Sequence, residues 1–591
     1  MVMIAVLALA VRLAYLWEIQ SIPFFGHPIG DAASYTAWAE RIAGGDWMGS
    51  EAFYQAPAYP YFVAVTRLAF GASPWAIRIV QCVLGATACV AVAVSGWWLL
   101  GRGAGMAAGV ILALYAPAIF FDGLVQKASL GLWLMALLLV VLAWIVRVAQ
   151  AEPPQETRRT LGALGGSGES GQPKTPALAR LCLHWLGAGV LLGLLALTRE
   201  NALLLLVPVL VWVWVRKGEG GVGVRLLWSV AFAGGMAIAL LPVGLRNHRV
   251  GGEFAITTVQ AGPNFYIGNN KSATGRYVPM RRGHESPPFE RAEAEAIASE
   301  ALGRVLAPGE ASDYWWSQSF DFIRNHPGRW LTLLGTKWLL VWNVYEVPDT
   351  ESYYLYCAWS PVLGVLGTMF HFGVLCPLAA IGVVLTWPRR RELWLLYVLI
   401  LTVAVGVAVF YVVARYRYPL VPLLALFAGA GLARAYAVLR GRSRQSVVAP
   451  LGVGLCCAII VNWPINPARQ LNAMAYMNVG AVLAQQGKLD AAIKFFDLAL
   501  EGAPESAELH YNLGVALASK ERYEDAVRHY RTALEIEPGL MHADYNLGVA
   551  FEALCRVDEA VEHYRRALTV DPEDAGARGA LQRLSPGSVR E

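Results

Sequence analysis

Charge is scarce in this chain. Of 591 residues only 15% are Asp, Glu, Lys or Arg, against about 25% in soluble domains. Histidine and cysteine are scarce as well, with 10 and 8 residues. His248, His284 and His326 stand apart without ligand spacing, so no metal centre is expected. Cys82, Cys89, Cys376, Cys456 and Cys457 lie inside apolar runs, with neither metal spacing nor a disulfide framework, and read as small hydrophobes. No basic tract is present, although the net charge is +5, which leaves nucleic acid without a footprint. The first apolar run lacks a small-residue cleavage site, so it reads as a retained helix and not a signal peptide.

Apolar length is abundant. Hydrophobic residues make up 56% of the chain, and 21 Trp are among them. A run of about 20 apolar residues crosses a bilayer. By that measure about eleven spans are expected, at roughly 1–20, 76–100, 103–121, 124–147, 183–198, 200–215, 225–245, 360–386, 393–413, 418–437 and 448–463. Lys and Arg in short loops set orientation. The Gly-, Pro- and Ser-rich linker 148–182, with Arg158, Arg159, Lys174 and Arg180, is expected on the cytoplasmic side. So are Arg216-Lys217 with Arg225, Arg389–Arg391, and Arg440, Arg442 and Arg444. Loops 21–75 and 246–358, the turn at 122–124 and everything after 463 then face the opposite side. The stretch 329–345, with Trp330, Lys337, Trp338 and Trp342, is expected to lie in the interface without crossing.

After residue 463 the pattern changes. Segments 473–506, 507–540 and 541–574 repeat with a period of 34 residues, the tetratricopeptide period. Asn478, Asn512 and Asn546 align, as do Gly480, Gly514 and Gly548, then Ala492, Ala526 and Ala560. Phe496, Tyr530 and Tyr564 follow, then Ala499, Ala533 and Ala567, then Pro504, Pro538 and Pro572. Small residues suit the close approach of the two helices of a hairpin, the aromatics are expected to fill the space between hairpins, and Pro ends each second helix. A capping helix is expected at 575–585. The fold class is therefore all-α: a multi-span transmembrane bundle over 1–463 and an α-solenoid of three repeats over 473–585.

Chemistry concentrates on one side. The first outer loop carries Asp31 among Tyr35, Trp38, Tyr54, Gln55 and Tyr59. A carboxylate there reads either as a helix N-cap after Gly30 or as a general base among rings that stack on sugars. In FFDGLVQKASLG, Asp122 is a turn residue or a second acid, and Lys127 a snorkelling side chain or a phosphate-binding cation. Arg199 and Glu200 read as an interfacial ion pair. Arg246, Arg415 and Arg417 are positive charges on the outer side, against the orientation bias, and suit a lipid-linked phosphate. Asn264, Tyr266 and Asn269 form a second polar-aromatic patch in GPNFYIGNN.

With GDAASYTAWAERIAGGDW, APAYPYF, LTREN, LLPVGLRN, GPNFYIGNN and ARYRYPLVPLLALFAG in order over residues 1–437, the chain resembles the polyprenyl-phosphate-sugar-dependent membrane glycosyltransferases of the GT-C fold, glycosyltransferase family 39. That group includes protein O-mannosyltransferases and aminoarabinose transferases. The resemblance implies an inverting transfer at the outer face of a bacterial inner (plasma) membrane, from a polyprenyl-phosphate-linked sugar to a lipid, glycan or protein hydroxyl. It assigns Asp31 as general base and Asp122 as the second acid. Arg246, Arg415 and Arg417 would hold the phosphate, and no cofactor is called for. Two other readings stand beside it: an O-antigen ligase or polymerase, and a non-enzymatic scaffold whose repeats recruit a protein partner.

Overall fold

In the computed structural model, residues 1–151, 175–216, 221–280, 287–441, 448–465, 468–540 and 542–584 are described. Arg158, Arg159, Lys174, Lys217, His284, Arg442 and Arg444 lie outside them. Among the described residues there are helices and no strand. The chain forms two compact units. One comprises Met1–Gln20, Pro28–Asp349 and Tyr356–Ile465, the other Ser21–His27, Thr350–Leu355 and Asn466–Glu591.

The first unit is a bundle of apolar helices. Among the described residues seven are long and apolar enough to cross a membrane: Val2–Ile19, Pro74–Leu100, Ala128–Val148, Ala179–Ala196, Val222–Gly251, the continuous stretch Pro361–Val409, and Leu420–Leu439. An eighth is counted if Arg102–Leu114 and Ala116–Asp122, bent by 56° at their junction, make one span. Two of the expected eleven are shorter helices, Glu200–Val215 and Val448–Val461. The two expected at 360–386 and 393–413 fall within Pro361–Val409, which at about 1.5 Å per residue is far longer than one crossing needs.

Local sequence explains the boundaries. Pro74–Leu100 begins where the Ser73 hydroxyl accepts from the Trp75 amide at 3.3 Å, with Pro74 at the first helical position. Val222–Gly251 ends at Gly252 in the left-handed conformation, φ 74. Gly189 and Gly235 let Thr175–Ala196 and Val222–Gly251 touch backbone to backbone, where any Cβ would collide. Opposite that contact Leu226, Val230, Ile238, Leu241 and Leu245 form an exposed apolar stripe. Such a stripe is compatible with insertion in lipid and costly in water.

The stretch expected in the interface is the helix Pro327–Trp342, which is not among the candidate spans. Its Lys337 is fully buried instead of reaching outward, with Nζ donating to Asn269 Oδ1 at 3.0 Å.

The second unit contains three helical hairpins: Ala468–Gln485 with Leu489–Gly502, Ala507–Ala518 with Tyr523–Ile536, and Ala543–Ala553 with Val557–Val570. A last helix, Ala575–Leu584, closes the stack. Phe496, Tyr530 and Tyr564 are buried, each lying against the glycine of its own hairpin. A Cβ at Gly480, Gly514 or Gly548 would sit 2.6, 2.6 and 2.8 Å from those rings, which is why the glycines recur with the period.

Candidate functional site

The outer loop opens with Gly30 at φ 54, a left-handed conformation that suits glycine. It starts the helix Gly30–Ala43, and Asp31 falls in its first turn. Asp31 is not a cap. Ile29 occupies the N-cap position, with no side-chain cap bond. The carboxylate turns away from the helix end and is buried. It pairs with Arg415, accepts from Gln55 Nε2 at 3.1 Å, and lies 3.4 Å from the Tyr35 hydroxyl.

Arg415 joins two carboxylates. Its second terminal nitrogen is 2.9 Å from Asp349, and Nη1 also donates to Gln126 Oε1 at 3.0 Å. Burial pushes the Asp31 carboxyl up, but Arg415 and then Lys127 pull it below the ordinary range. Burial holds Asp349 above it, with Arg415 opposing. Two acids on one guanidinium thus divide, Asp31 ionised and Asp349 the more ready to keep a proton. Glu290, at the start of the helix Pro287–Leu302, is pushed up to about 8, by burial first and then by Asp31.

Gln126 and Lys127 are presented by a pinned turn. Arg78 Nε donates to the Gly123 carbonyl at 2.8 Å. Gln81 Nε2 donates to the Asp122 and Leu124 carbonyls at 3.1 and 2.6 Å. Tyr59, expected at the sugar, donates to Gln81 Oε1 at 2.6 Å and so supports this turn. Asp122 itself faces inward. It is fully buried in a 2.7 Å ion pair with Arg12, which gives it a closed partner and no part in the Asp31–Arg415 cluster.

Two cavities flank the cluster. The smaller, about 110 Å³, is lined by Lys127, Arg199, Glu200, Gln260, Asn264, Tyr411 and Tyr416 among others. Among the described residues no carboxylate is in ion-pair contact with its cations. Glu200 accepts from Thr258 and Gln260 at 3.0 and 2.8 Å, so the ion pair expected between Arg199 and Glu200 is not formed. Arg199 lies over the Tyr416 ring at 5.4 Å, and its Nε and Nη2 are buried without a hydrogen-bond partner. Burial lowers Arg199 to about 10 and Lys127 to about 8. Asn264 Oδ1 accepts from the Tyr411 hydroxyl at 3.1 Å.

The larger cavity, about 490 Å³, is lined by Trp38, Arg41, Glu51, Phe53, Tyr54, Gln55, Arg291 and Glu295 among others. Gln55 belongs to its wall and also bonds Asp31. Tyr416, on the smaller cavity, lies 5.4 Å beneath the Arg415 guanidinium. Through Gln55 on one wall and Tyr416 on the other, the Asp31–Arg415 pair adjoins a large polar-aromatic cavity and a small cationic one without lining either.

Four expected site residues take structural partners. Arg246 donates through Nε to the Met48 carbonyl at 2.7 Å and through Nη1 to the Glu51 carbonyl at 2.5 Å. It lies over Phe53 at 3.8 Å, holds the outer loop together and also lines the larger cavity. Arg417 pairs with buried Glu346 at 2.8 Å and donates to backbone carbonyls of Val341, Asn343 and Tyr345. Asn269 is saturated by Phe265, Val409, Trp330 and Lys337. Tyr266 packs on Trp315 at 4.4 Å. Sequence reading missed Asp349 and Glu290, which lie in no motif, and passed over Gln126 beside Lys127 in FFDGLVQKASLG. It named Arg199 and passed over Tyr416 inside ARYRY. Among the described residues no three His, Cys, Asp or Glu side chains are placed to share a metal ion.

Two family models of the tetratricopeptide repeat match residues 471–538 and 511–578. No curated protein matches the chain. Among solved structures it is similar to the tetratricopeptide domain of Arabidopsis OM64 (22% identity, 20% of this chain and 97% of that one, TM-score 0.20). It is also similar to the first such domain of Spaghetti (RPAP3) bound to an HSP90 peptide (24%, 21% and 96%, TM-score 0.20). A third is MamA (19%, 26% and 82%, TM-score 0.20). Residues 471–578 are tetratricopeptide repeats.

Proposed function

We propose that this protein is a membrane glycosyltransferase that moves a sugar from a polyprenyl-phosphate donor to an acceptor hydroxyl. The observation that carries this reading is the placement of buried Asp31 beside two unlike cavities. The cationic one holds roughly three or four waters by volume, at about 30 Å³ each, and suits a phosphate group. Lys127 and Arg199 both line it, and among the described residues neither is in a direct ion pair. The other is within the size range of ligand pockets, about 300–1,000 Å³, and its Trp38 and Tyr54 rings with paired charges suit a polar acceptor.

The chemistry is a single displacement. The acceptor oxygen attacks the anomeric carbon as the carbon–oxygen bond to the phosphate breaks. The hydroxyl proton passes to Asp31, and the electron pair leaves on the polyprenyl phosphate, held by Lys127 and Arg199. At rest Arg415 keeps Asp31 ionised and occupied. A donor phosphate drawing Arg415 toward itself would free the carboxylate as a base only when substrate is present. Asp349 would retain the guanidinium during that shift. Of the phosphate-binding arginines implied by the family resemblance, Arg415 keeps a role, while Arg199 with Lys127 takes the place of Arg246 and Arg417.

Charge bias supports placing this face, and the repeats, outside the cytoplasm. The repeats support a protein or peptide partner, because stacked helical repeats form an extended concave binding surface. The test is transfer by purified protein from a radiolabelled polyprenyl-phosphate sugar. Asp31→Asn is expected to lower kcat by about 100-fold or more with donor KM nearly unchanged. Full retained transfer would rule out Asp31 as the base. Absence of both transfer and donor binding in the wild type would favour the scaffold.

A further inference from the structure

The repeat unit contains more than repeats. Two short pieces of chain from outside the array fold with it, Ser21–His27 and Thr350–Leu355. The turn Pro23–Phe25 packs on the first repeat helix, Ala468–Gln485, and Ile22, Phe24 and Phe25 are buried. Gln486, just past that helix, bonds His27 Nδ1 through Nε2 at 3.1 Å. Asn478, on the same helix, donates through Nδ2 to the Thr350 carbonyl at 3.0 Å. Asn546, its equivalent two repeats on, is bonded to the Tyr511 hydroxyl at 2.9 Å, so the bond to chain outside the array is made by the first asparagine.

Both pieces run directly into the carboxylates of the cluster. Asp349 immediately precedes Thr350, and Asp31 follows His27 by four residues. These two acids share Arg415. We propose that the first tetratricopeptide hairpin is a clamp whose ligand is this chain itself, and that Asn478 and Gln486 are positioning residues, holding the segments that end in Asp349 and lead into Asp31. A carboxylate one residue from a fixed carbonyl has little freedom to leave its guanidinium. Release of the segment lets Asp349 swing away and leaves Arg415 to Asp31 alone. The first hairpin is therefore occupied in cis, and any partner reading the array has the later repeats or must displace Thr350–Leu355. The structural clamp stands on its own contacts, while its effect on catalysis rests on the transferase reading.

Hydrogen exchange on the full-length protein in nanodiscs tests the clamp. Asn478→Asp keeps the shape but replaces the donor with an acceptor, so the bond to a carbonyl is lost. Exchange across 345–356 is expected to rise roughly fivefold, with the helices Ala507–Ala518 and Tyr523–Ile536 unchanged. Wild-type exchange at 345–356 in a folded variant overturns the proposal. Should N478D unfold the first hairpin, Gln486→Ala decides, because that side chain is at the surface. Faster exchange at 21–27 supports the clamp and unchanged exchange overturns it.

The catalytic arm uses a polyprenyl-phosphate sugar. N478D should lower kcat roughly fivefold with donor KM unchanged, because the phosphate cavity is untouched. A risen KM with unchanged kcat overturns the positioning role. A wild-type protein that transfers no sugar sinks the transferase reading, and the exchange result still decides the clamp.

Discussion

Arg415 and Arg417 are two positions apart on a four-residue helix and have opposite surroundings. Arg415 bridges two acids beside two cavities, while Arg417 is closed in by Glu346 and three backbone carbonyls. Removing one partner of a buried ion pair costs about 3–5 kcal/mol. Arg417→Ala should therefore lower the thermal midpoint of the purified protein and its yield, and Arg415→Lys should fold normally and lose donor turnover. Equal thermal midpoints for R417A and wild type would remove the structural role. A second residue-scale prediction concerns pH. Lys127 and Glu290 both titrate at about 8, and Arg199 at about 10. As pH rises through 8, Lys127 loses its positive charge and Glu290 gains a negative one. Both changes weaken an anion site, so donor affinity should be flat from pH 6.5 to 7.5 and fall above 8. Lys127→Arg should hold affinity to higher pH. Donor titration across that range, followed by Trp fluorescence, decides it, and a K127R profile identical to wild type would take Lys127 out of the anion site.

At the scale of elements, the repeats and the bundle were legible for different reasons. A period of 34 residues repeats its contacts, so the alignment marks Gly514 and Tyr530 as recurring positions; it sets the ring between hairpins, whereas the ring lies against the glycine of its own hairpin. Gly514→Ala places a methyl 2.6 Å from that ring and should destabilise the array by about 1–3 kcal/mol, read as a lower midpoint in urea for the repeat unit's far-UV signal. An unchanged midpoint would mean that the ring yields freely. Asp31 was legible because it follows the first apolar run inside an aromatic loop. Its environment was not, because burial of a carboxylate depends on Arg415, 384 residues away. Asp349 and Glu290 were illegible, since the parts of loop 246–358 that hold them carry no motif to fix which side chains turn inward. The partners of Arg246 and Arg417 were illegible for a related reason. Outer-side charge marks an arginine as costly, but the groups that offset the cost here are backbone carbonyls and Glu346, all distant in sequence. Asp122 failed as a site acid because the 56° bend after Leu114 and the turn held by Arg78 and Gln81 direct it to Arg12. Single-residue pattern does not encode that bend.

For the whole molecule the open quantity is parity. Among the described residues seven helices meet the length and hydropathy of a span, eight with the bent pair, while Pro361–Val409 is long enough for two crossings. Parity fixes whether residues 466–591 share a side with Asp31. Loop charge argues that they do. Arg389, Arg390 and Arg391 lie within Pro361–Val409, at the joint between Phe372–Thr386 and Arg390–Val409, and the orientation bias places such a basic joint in the cytoplasm. The stretch then folds back as two crossings, Leu420–Leu439 returns to the basic segment beginning at Arg440, and Val448–Val461, 14 residues long, must make the last crossing, with a thinned bilayer or flanking Trp463 accommodating its shortness. The prediction is specific to that short helix. Alkaline phosphatase fused after residue 591 should be active, and a fusion after Arg440 should be silent. Activity reversed at both points would put the repeats in the cytoplasm, and activity at neither would mean that Val448–Val461 does not cross.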